Sequence, residues 1–453
     1  MFDVVIAGGR VVDGTGLPWF RADVGVAGGR IAAVGDLSRA AAAARIDAAG
    51  RVVAPGFIDA HVHGDLALFA DPHHEPAIRQ GVTTYILGQD GSAMAPASPA
   101  TLAYMRRYTA GFNGGFETPG LSWRSLDEYL NCLDRRCALN VACLVPNGNV
   151  RLEVIGLDPR PATPDELGRM RRLVREAMEQ GAVGLSSGLD YIPSRYAHEA
   201  ELTALCEEIA PFGGVYVTHM RGYTPEKVLP AMEEVANIGR GAGCAVHISH
   251  FNSLASQVLP VLDAYRAEGI DMTFDLYCYL AGSTILGMIA LPPEVQEGGL
   301  EPTLERLRSP EVRQRLPEWF ARMRSPVESV RLGWVPAEEY RRFEGKTLGE
   351  AAGEAGVSIA DFVCDVLIAT RMATNCVVPH DLRRTEEDVR GLLRHPAMMA
   401  GSDGIYVGGH PHPRGCGCFA HYVGHYARQR GDWSLEQAVS HLSYHAARRF
   451  RLH

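Results

Sequence analysis

Eight short apolar runs, most of them separated by segments of helical length, constrain the fold of this 453-residue chain more than any other feature. The runs have the length of buried strands, and the segments at 164–180, 199–210, 226–240 and 257–268 have helical period. Such alternation is typical of a parallel sheet with crossover helices. The runs lie at 52–58, 83–87, 140–145, 182–187, 215–218, 245–249, 272–279 and 398–402.

Five of these runs end in residues that can bind a metal ion. Eight strands with ligand-type residues at one end fit a (β/α)8 barrel better than an open doubly wound sheet, because the C-terminal face of a barrel carries the active site. We therefore predict an α/β fold of the TIM-barrel type with a metal site. The candidate ligands are His61, His63, Asp90, His219, His250 and Asp403.

The types and spacing of these residues indicate hydrolytic chemistry. Side chains alternate along a strand, so His61 and His63 should face the same side, whereas His247 should face away from His250 and be a packed histidine. Imidazole and carboxylate ligands suit zinc, which in catalytic sites keeps a position open for water. Zinc brings the pKa of its water to about 7. Asp403 could then take the proton and pass it to a leaving amine.

Composition limits the partners and the compartment. The net charge of −9 without a long basic run argues against nucleic acid, and no apolar stretch approaches the roughly 20 residues of a membrane span. The ten cysteines are scattered, as expected for reduced thiols in the cytosol, and the N-terminus lacks the pattern of a signal peptide. We expect a soluble, cytoplasmic protein that acts on a small molecule.

Changes of composition along the chain predict three parts. Residues 1–54 contain short strands and glycine turns and should form a small β domain. Residues 55–285 and 346–453 should form the barrel, with the last crossover helix near 348–368. Residues 286–345, rich in Pro, Glu and Arg, are interpreted as an insertion that caps the barrel mouth, or alternatively as a surface excursion without a catalytic part.

Several motifs together resemble one known family. PGFIDAHVH at 55–63 and GSDG at 401–404 are similar to the amidohydrolase superfamily. Within it, the chain resembles the D-aminoacylase (N-acyl-D-amino-acid deacylase) family over nearly its whole length. The motifs that carry this resemblance are SSGLDYIP at 186–193, THMR at 218–221, ISH at 248–250, YCYLAGST at 277–284 and HPRG at 412–415.

The resemblance implies a zinc-dependent barrel beside a small β sandwich built from both chain ends. It implies that His219 and His250 hold a tighter metal, that His61 and His63 hold a second or weaker one, and that Asp403 is the acid/base. Arginine binds carboxylates with two parallel hydrogen bonds. The positions implied to bind the substrate carboxylate or to line its pocket are Arg414, Tyr277, Ser283 and Tyr191.

The chain departs from the family pattern at several places. Asp90 stands where the family has a cysteine ligand, which gives a harder ligand set and makes Mn2+ or Co2+ alternatives to one or two Zn2+ ions. Asn252 stands where the family has a lysine in the carboxylate pocket. Strands for a C-terminal half of the sandwich are missing after the segment 435–450, so either the sequence is shortened or a second chain, in a homo-oligomer for example, supplies them.

We interpret the sequence as a metal-dependent hydrolase that cleaves the amide bond of N-acyl-D-amino acids or related small amides. Two alternatives stay open. One is a cyclic amide or dipeptide hydrolase that uses the same metal chemistry. The other is a non-catalytic binding or scaffold subunit with an altered metal site.

Overall fold

The computed structural model describes residues 1–118 and 120–452, and within them seventeen strands. In chain order these are β1 Phe2–Val11, β2 Phe20–Ala27, β3 Arg30–Gly35, β4 Ala42–Asp47, β5 Val52–Val53, β6 Phe57–Asp59, β7 Val82–Leu87, β8 Asn140–Cys143, β9 Val145–Pro146, β10 Gly184–Gly188, β11 Val215–His219, β12 Ala245–Ile248, β13 Met272–Leu276, β14 Ala281–Ile285, β15 Arg331–Trp334, β16 Asn375–Pro379 and β17 Met398–Ala400.

Nine of these strands form a closed parallel barrel. The order is β6-β7-β8 and then β9-β10-β11-β12-β13-β17, where β8 and β9 are two parts of one strand interrupted at Leu144. The barrel closes between its first and last strands, because Ala60 N–H donates to the carbonyl of Ala400 at 3.0 Å and Val62 pairs in parallel with Gly404. The predicted (β/α)8 barrel is confirmed.

The first apolar run, 52–58, is divided between two sheets. Its start is β5, which pairs with β1 outside the barrel, and its end is β6, which pairs with β7. Pro55 and Gly56 lie between them, and proline has no N–H to donate to a sheet. The prediction of one continuous strand was wrong at this point, and the break marks the entry into the barrel.

Helices surround the barrel and pack their apolar faces on it. The largest cluster of buried side chains combines residues of the barrel strands with residues of the helices between them, such as Val174, Leu205 and Val235. The α-helices span Ala67–Ala70, Glu75–Ile78, Pro99–Tyr108, Ala110–Asn113, Leu126–Leu133, Asn147–Val154, Pro164–Glu179, Glu199–Ile209, Val228–Ala242, Ala255–Ala267, Leu286–Ala290, Pro293–Gln296, Leu300–Arg306, Pro310–Phe320, Leu348–Ala355, Ile359–Ala369, Glu386–Leu393, Arg414–His421, Leu435–Val439 and His445–Arg449. No helix within residues 1–118 and 120–452 is long and apolar enough to cross a bilayer.

The N-terminal sheet consists of β1 to β5, in the order β3-β2-β1-β4 with β5 beside β1. The register pairs Val24 with both Ile6 and Val34, and Ile6 with Ile46, so these four side chains lie on one face of the sheet. Val34 and Ile46 are 50% and 52% exposed. Among the described residues, no second sheet covers this apolar face.

A third sheet, β14-β16-β15, is antiparallel and has its own buried cluster. The predicted crossover helix at 348–368 is instead two helices separated by Gly356, whose φ of 70° ends the first. Their buried side chains, such as Leu348 and Val363, join the cluster of the third sheet. The helix that precedes β17 is Glu386–Leu393. The antiparallel sheet therefore extends beyond the boundary at 345 that the sequence predicted.

Candidate metal centre and substrate pocket

The six predicted ligand residues converge at the C-terminal end of the barrel, around Asp90. One carboxylate oxygen of Asp90, Oδ1, lies 3.6 Å from Nε2 of His61 and 3.7 Å from Nε2 of His250. The other, Oδ2, lies 3.5 Å from Nε2 of His63. Nε2 of His63 is also 3.2 Å from Oδ1 of Asp403, and Nδ1 of His219 is 2.9 Å from Nε2 of His250.

Two overlapping groups of these side chains have the spacing of a metal site. The first contains His61, His63 and Asp403, and the second contains His61, Asp90 and His250. In each group the ligand atoms lie within 4.8 Å of one another. Because His61 belongs to both groups and Asp90 contacts both, the arrangement offers two adjacent positions for metal ions.

The backbone at three ligand positions is left-handed. Asp90, His250 and Asp403 have φ values of 55°, 35° and 50°, a region that residues with a side chain rarely adopt. Such strain persists only where surrounding structure holds it and is frequent at functional sites. Here the strain turns the three side chains from the ends of their strands toward a common centre.

Two glycines beside Asp90 explain how its turn fits into the barrel. Gly88 and Gly91 have φ values of 78° and 65°, and a Cβ on Gly88 would lie 2.4 Å from the carbonyl oxygen of Leu144. A Cβ on Gly91 would lie 2.8 Å from the amide nitrogen of Gly188. Both positions therefore require glycine, and the Gln89-Asp90 turn is pressed against the neighbouring strands.

The charges around the site favour the binding of a cation. Burial lowers the pKa of His61, but the charges of Asp275 and Asp90 outweigh burial and raise it well above its usual value. Burial raises the pKa of Asp403, but the charge of Arg414 and the hydrogen bond of His63 outweigh it, so the pKa falls to about 2. Burial and the charge of His250 lower the pKa of His219 to about 3. The raised pKa of His61 reflects the negative charge around it, which a bound cation would neutralise, while the ionised carboxylate of Asp403 and the neutral ring of His219 are already in the forms that bind a metal.

The described residues fit a divalent metal such as zinc. Nε2 of His61 and Oδ1 of Asp90 lie 3.6 Å apart, are buried and have no hydrogen-bond partner within residues 1–118 and 120–452. Leaving such atoms unpaired is costly, so their orientation toward one another is explained by a shared ion. The donor set of imidazoles and carboxylates is one that zinc accepts.

Asp275, in β13, supports the ligands from behind and was missed by the sequence analysis. Its Oδ1 accepts the backbone N–H of His250 at 2.8 Å, and its Oδ2 lies 3.4 Å from Nδ1 of His61 and 3.0 Å from Nε2 of His247. His247 is a buried, packed histidine as predicted, but it also holds Asp275. Carboxylates that accept from the second nitrogen of a ligating histidine fix its orientation. The sequence feature that could have indicated Asp275 is that it is a single aspartate inside an apolar run.

Asp59 and Ser402 join the first and last strands beneath the site. Ser402 donates from its backbone N–H to Oδ1 of Asp59 at 2.8 Å and from its hydroxyl to Oδ2. Burial raises the pKa of Asp59 to about 7 although these hydrogen bonds oppose the rise. The contact places the segment with His61 and His63 directly against the segment with Asp403.

A cavity of about 370 Å³ opens from these ligands and contains all five predicted substrate-binding residues in its lining. These are Tyr191, Asn252, Tyr277, Ser283 and Arg414. Helix Ala110–Asn113, which the sequence did not indicate, adds Phe112, whose ring stacks on His63 at a centroid distance of 4.5 Å. One cavity therefore combines the candidate metal centre with polar groups suited to a small ligand.

Arg414 links the cavity wall to Asp403. Its NH1 lies 2.8 Å from Oδ2 of Asp403, its NH2 donates to the carbonyl of Ser283 at 3.0 Å, and its guanidinium carbon lies 4.6 Å from the centre of the Tyr277 ring. The hydroxyl of Tyr191 lies 3.1 Å from Nδ1 of His219. Oδ1 of Asn252 is buried and has no partner in the part of the chain that the structure describes.

The outer wall of the cavity carries excess positive charge. Arg195, Lys227 and Arg324 line it, and within residues 1–118 and 120–452 none of them is in an ion pair shorter than 4.0 Å. Asp190 lines the same cavity, and their charges lower its pKa, although burial outweighs them and raises that pKa overall. Positive charge is thus present although Asn252 supplies none.

Comparisons with known proteins agree with this geometry. Residues 44–326 match the model of the amidohydrolase family. D-aminoacylase of Alcaligenes xylosoxydans xylosoxydans is 34% identical over 100% of this chain and 84% of its own length. N-acyl-D-glutamate deacylase of the same organism is 33% identical over 99% and 83%. The crystal structure of N-acyl-D-glutamate deacylase from Bordetella bronchiseptica, in complex with zinc and a phosphonate mimic of the tetrahedral intermediate, has a TM-score of 0.81 at 32% identity and covers 100% of this chain and 86% of that one.

Proposed function

We propose that this chain hydrolyses the amide bond of N-acyl-D-amino acids, because it belongs to the amidohydrolase family and to its group of D-aminoacylases. The observation that carries the proposal is the position of Asp403. Its Oδ1 lies beside His63 and its Oδ2 beside Arg414, so one carboxylate borders both the candidate metal centre and the candidate carboxylate-binding group.

The candidate metal ligands are His61, His63, Asp90, His219, His250 and Asp403. Zinc is the first candidate, and Mn2+ or Co2+ are alternatives because Asp90 is a harder ligand than the family's cysteine. When bound, a divalent metal supplies Lewis-acid activation of water and of the amide carbonyl. The carboxylate of Asp90, with its two oxygens facing different histidines, supports one or two ions.

Asp403 is proposed to move the proton. It stays ionised at neutral pH because its pKa is about 2 in the metal-free protein, so it can accept a proton from water at Oδ1. Passing that proton to the departing nitrogen requires a higher pKa than this. A substrate carboxylate on Arg414 would share the guanidinium with Asp403, which weakens the stabilisation of the ionised form and raises the pKa toward a value useful for proton transfer.

The charge of the cavity supports an anionic substrate. Arg414, Lys227, Arg195 and Arg324 line it, and apart from Asp90 and Asp403 the acid in the lining is Asp190. Opposite charge in a cleft favours the approach of a carboxylate and raises its local concentration. An acidic side chain on the amino acid would add a second negative charge for Arg195, Lys227 or Arg324, the cations of the outer wall.

The apolar face of the N-terminal sheet is proposed to be covered by further strands, supplied either by a longer form of this sequence or by a second chain. Val34, Ile46 and Ile31 are at least half exposed there, and exposed apolar faces of this kind are typical of interaction surfaces. This surface supports the predicted β sandwich, of which these strands would form the second half. The small N-terminal domain, the capping role of 286–345 and the cytoplasmic location stay predictions.

The test is amine release from matched N-acetyl-D- and N-acetyl-L-amino acids, with leucine and glutamate side chains, by zinc-loaded and manganese-loaded protein. We expect turnover of the D substrates and, if the outer cations bind a second carboxylate, a lower KM for the glutamate derivative. Metal content is recorded on the same samples. Turnover of cyclic amides or dipeptides alone would favour the related hydrolase, and absence of tightly bound metal under every loading condition would favour a binding subunit.

A further inference from the structure

We propose that His380 and Arg384 are positioning residues that fix the hydroxyl of Tyr277 as a hydrogen-bond donor toward an anionic oxygen of the substrate. This inference rests on the proposed function, because that function places a carboxylate in the cavity beside Tyr277. His380 and Arg384 belong to the segment after β16, in the antiparallel sheet, and neither lines the cavity. They would act on the substrate only through Tyr277.

A continuous chain of contacts joins the three side chains. Nε2 of His380 lies 2.9 Å from the hydroxyl of Tyr277, and Nδ1 of His380 lies 2.6 Å from NH1 of Arg384. The same NH1 donates to the carbonyl of Tyr279 at 3.0 Å, which fixes the guanidinium. All three side chains are buried, so water does not compete for these contacts.

Arg384 determines which nitrogen of His380 carries the proton. A guanidinium has donors and no acceptor, so Nδ1 of His380 must be the acceptor at a separation of 2.6 Å. The hydrogen of the neutral ring is then on Nε2, which must donate to the oxygen of Tyr277. Burial, together with the charges of Arg384 and Arg324, lowers the pKa of His380 well below its usual value, consistent with a neutral ring.

The hydrogen of the Tyr277 hydroxyl therefore has to point elsewhere. His380 is its hydrogen-bond partner within residues 1–118 and 120–452, and that bond uses the oxygen as acceptor. Burial raises the pKa of Tyr277 to about 12, so the hydroxyl keeps its hydrogen at neutral pH. What remains is a donor in the wall of the cavity, which Tyr277 lines together with Arg414.

Gly282 lies beside two donors, the hydroxyl of Tyr277 and the guanidinium of Arg414. A Cβ at this position would lie 2.7 Å from the Tyr277 hydroxyl, 3.2 Å from Nε2 of His380 and 3.6 Å from NH1 of Arg414. The absence of a side chain at Gly282 therefore keeps the space beside the hydroxyl and the guanidinium open. A hydroxyl donor beside a guanidinium suits an acceptor with negative charge, such as a carboxylate, and disfavours a neutral or cationic group at the same place.

The first experiment compares His380→Gln with His380→Glu in the zinc-loaded protein, which differ in one terminal group. Glutamine can accept from Arg384 and donate to Tyr277, whereas glutamate can only accept and would take the tyrosine hydrogen for itself. We expect His380→Glu to raise KM for N-acetyl-D-amino acids by about 10- to 100-fold, the effect of one lost hydrogen bond to a charged group. His380→Gln should recover most of that loss, and kcat should change less than KM in both.

A double-mutant cycle with Tyr277→Phe separates orientation from charge repulsion. If orientation of the hydroxyl is the cause, His380→Glu should have little further effect on KM once the hydroxyl is absent. An equal effect of His380→Glu in the presence and absence of the hydroxyl would overturn the proposal. So would a KM for His380→Gln as high as that for His380→Glu.

A second measurement does not depend on hydrolysis. Long-range 15N correlation spectra of the zinc-loaded full chain, labelled with 15N-histidine, report the tautomer of His380, whose signal is identified by its loss in His380→Gln. Hydrogen on Nε2 supports the proposal, and hydrogen on Nδ1 overturns it whatever the activity. Hydrogen on Nε2 in a protein that hydrolyses no N-acetyl-D-amino acid would keep the hydrogen-bond chain and reject the proposed function instead.

Discussion

Replacing Asp275 by asparagine should weaken zinc binding by about 10- to 100-fold, because Asp275 holds two of the candidate ligands from behind. Asparagine has nearly the same shape, and its side-chain oxygen can still accept the backbone N–H of His250, as Oδ1 of Asp275 does at 2.8 Å. Its amide group would then face Nδ1 of His61 and Nε2 of His247, where the aspartate has a charged acceptor. The substitution therefore removes the charged acceptor and does not create a cavity.

The magnitude follows from the two imidazole contacts. A hydrogen bond to a charged group contributes about 1.5–3 kcal/mol. The contact with His247, at 3.0 Å, has full hydrogen-bond length, whereas the contact with His61, at 3.4 Å, is longer than a good hydrogen bond. Zinc binding depends on the His61 contact, because His247 is not a candidate ligand, so we take the lower part of this range, about 1.5–2.7 kcal/mol, which corresponds to roughly a 10- to 100-fold change in the dissociation constant for zinc.

The assay is competition for zinc with a chromophoric chelator, together with metal content after dialysis. Asp271→Asn is the matched control, since it is the same substitution directly before the same strand, at a carboxylate that is 65% exposed and pairs with Arg449. Zinc affinity should be unchanged in the control. An Asp275→Asn protein that is folded and binds zinc within about threefold of the unsubstituted protein would refute the reasoning, since a supporting carboxylate costs at least about tenfold.

Three further predictions concern the same centre. Asp403→Asn, compared with the unsubstituted enzyme at full metal loading, should reduce kcat by about 100-fold or more, because the proton acceptor is lost; kcat near that of the unsubstituted enzyme would contradict the role. Asp90→Cys should shift preference from manganese toward zinc and cadmium, measured by competition between the ions, since thiolate is the softer ligand. Gly401→Ala would place a Cβ 2.9 Å from Oδ1 of Asp275 and should therefore lower the rise in Tm that zinc produces. The control is Gly353→Ala, at a helical position where a Cβ would have no neighbouring atom within 4 Å; it should raise the free energy of unfolding by about 0.5–1 kcal/mol.

The barrel and the six ligand-type residues could be predicted because both depend on local signals. Each strand is a short apolar run, and parallel strands bring their C-terminal ends to one face, so ligands distant in sequence must meet there. The two helices at 348–355 and 359–369 show the limit of this reasoning. Their periodicity identified helices, but periodicity does not say which sheet an apolar face will contact, and they pack on the antiparallel sheet.

The residues behind the site were harder to predict for a different reason. Asp275 lies inside a buried strand, where the pattern of the run describes packing and not the direction of one carboxylate. His380 and Arg384 follow a strand of another sheet and reach Tyr277 through contacts across about 100 residues of sequence. Such supporting contacts produce no regular spacing of residues in the sequence, so they are found only from the three-dimensional arrangement of the sheets.

The left-handed backbone at Asp90, His250 and Asp403 has a consequence for how this protein can change over generations. Each such residue costs the fold about 1–3 kcal/mol, and glycine would adopt the same conformation without that cost. Selection for thermal stability alone would therefore favour glycine at these three positions and discard the metal centre. A role in the candidate metal centre explains why these three positions carry side chains although backbone stability alone favours glycine there.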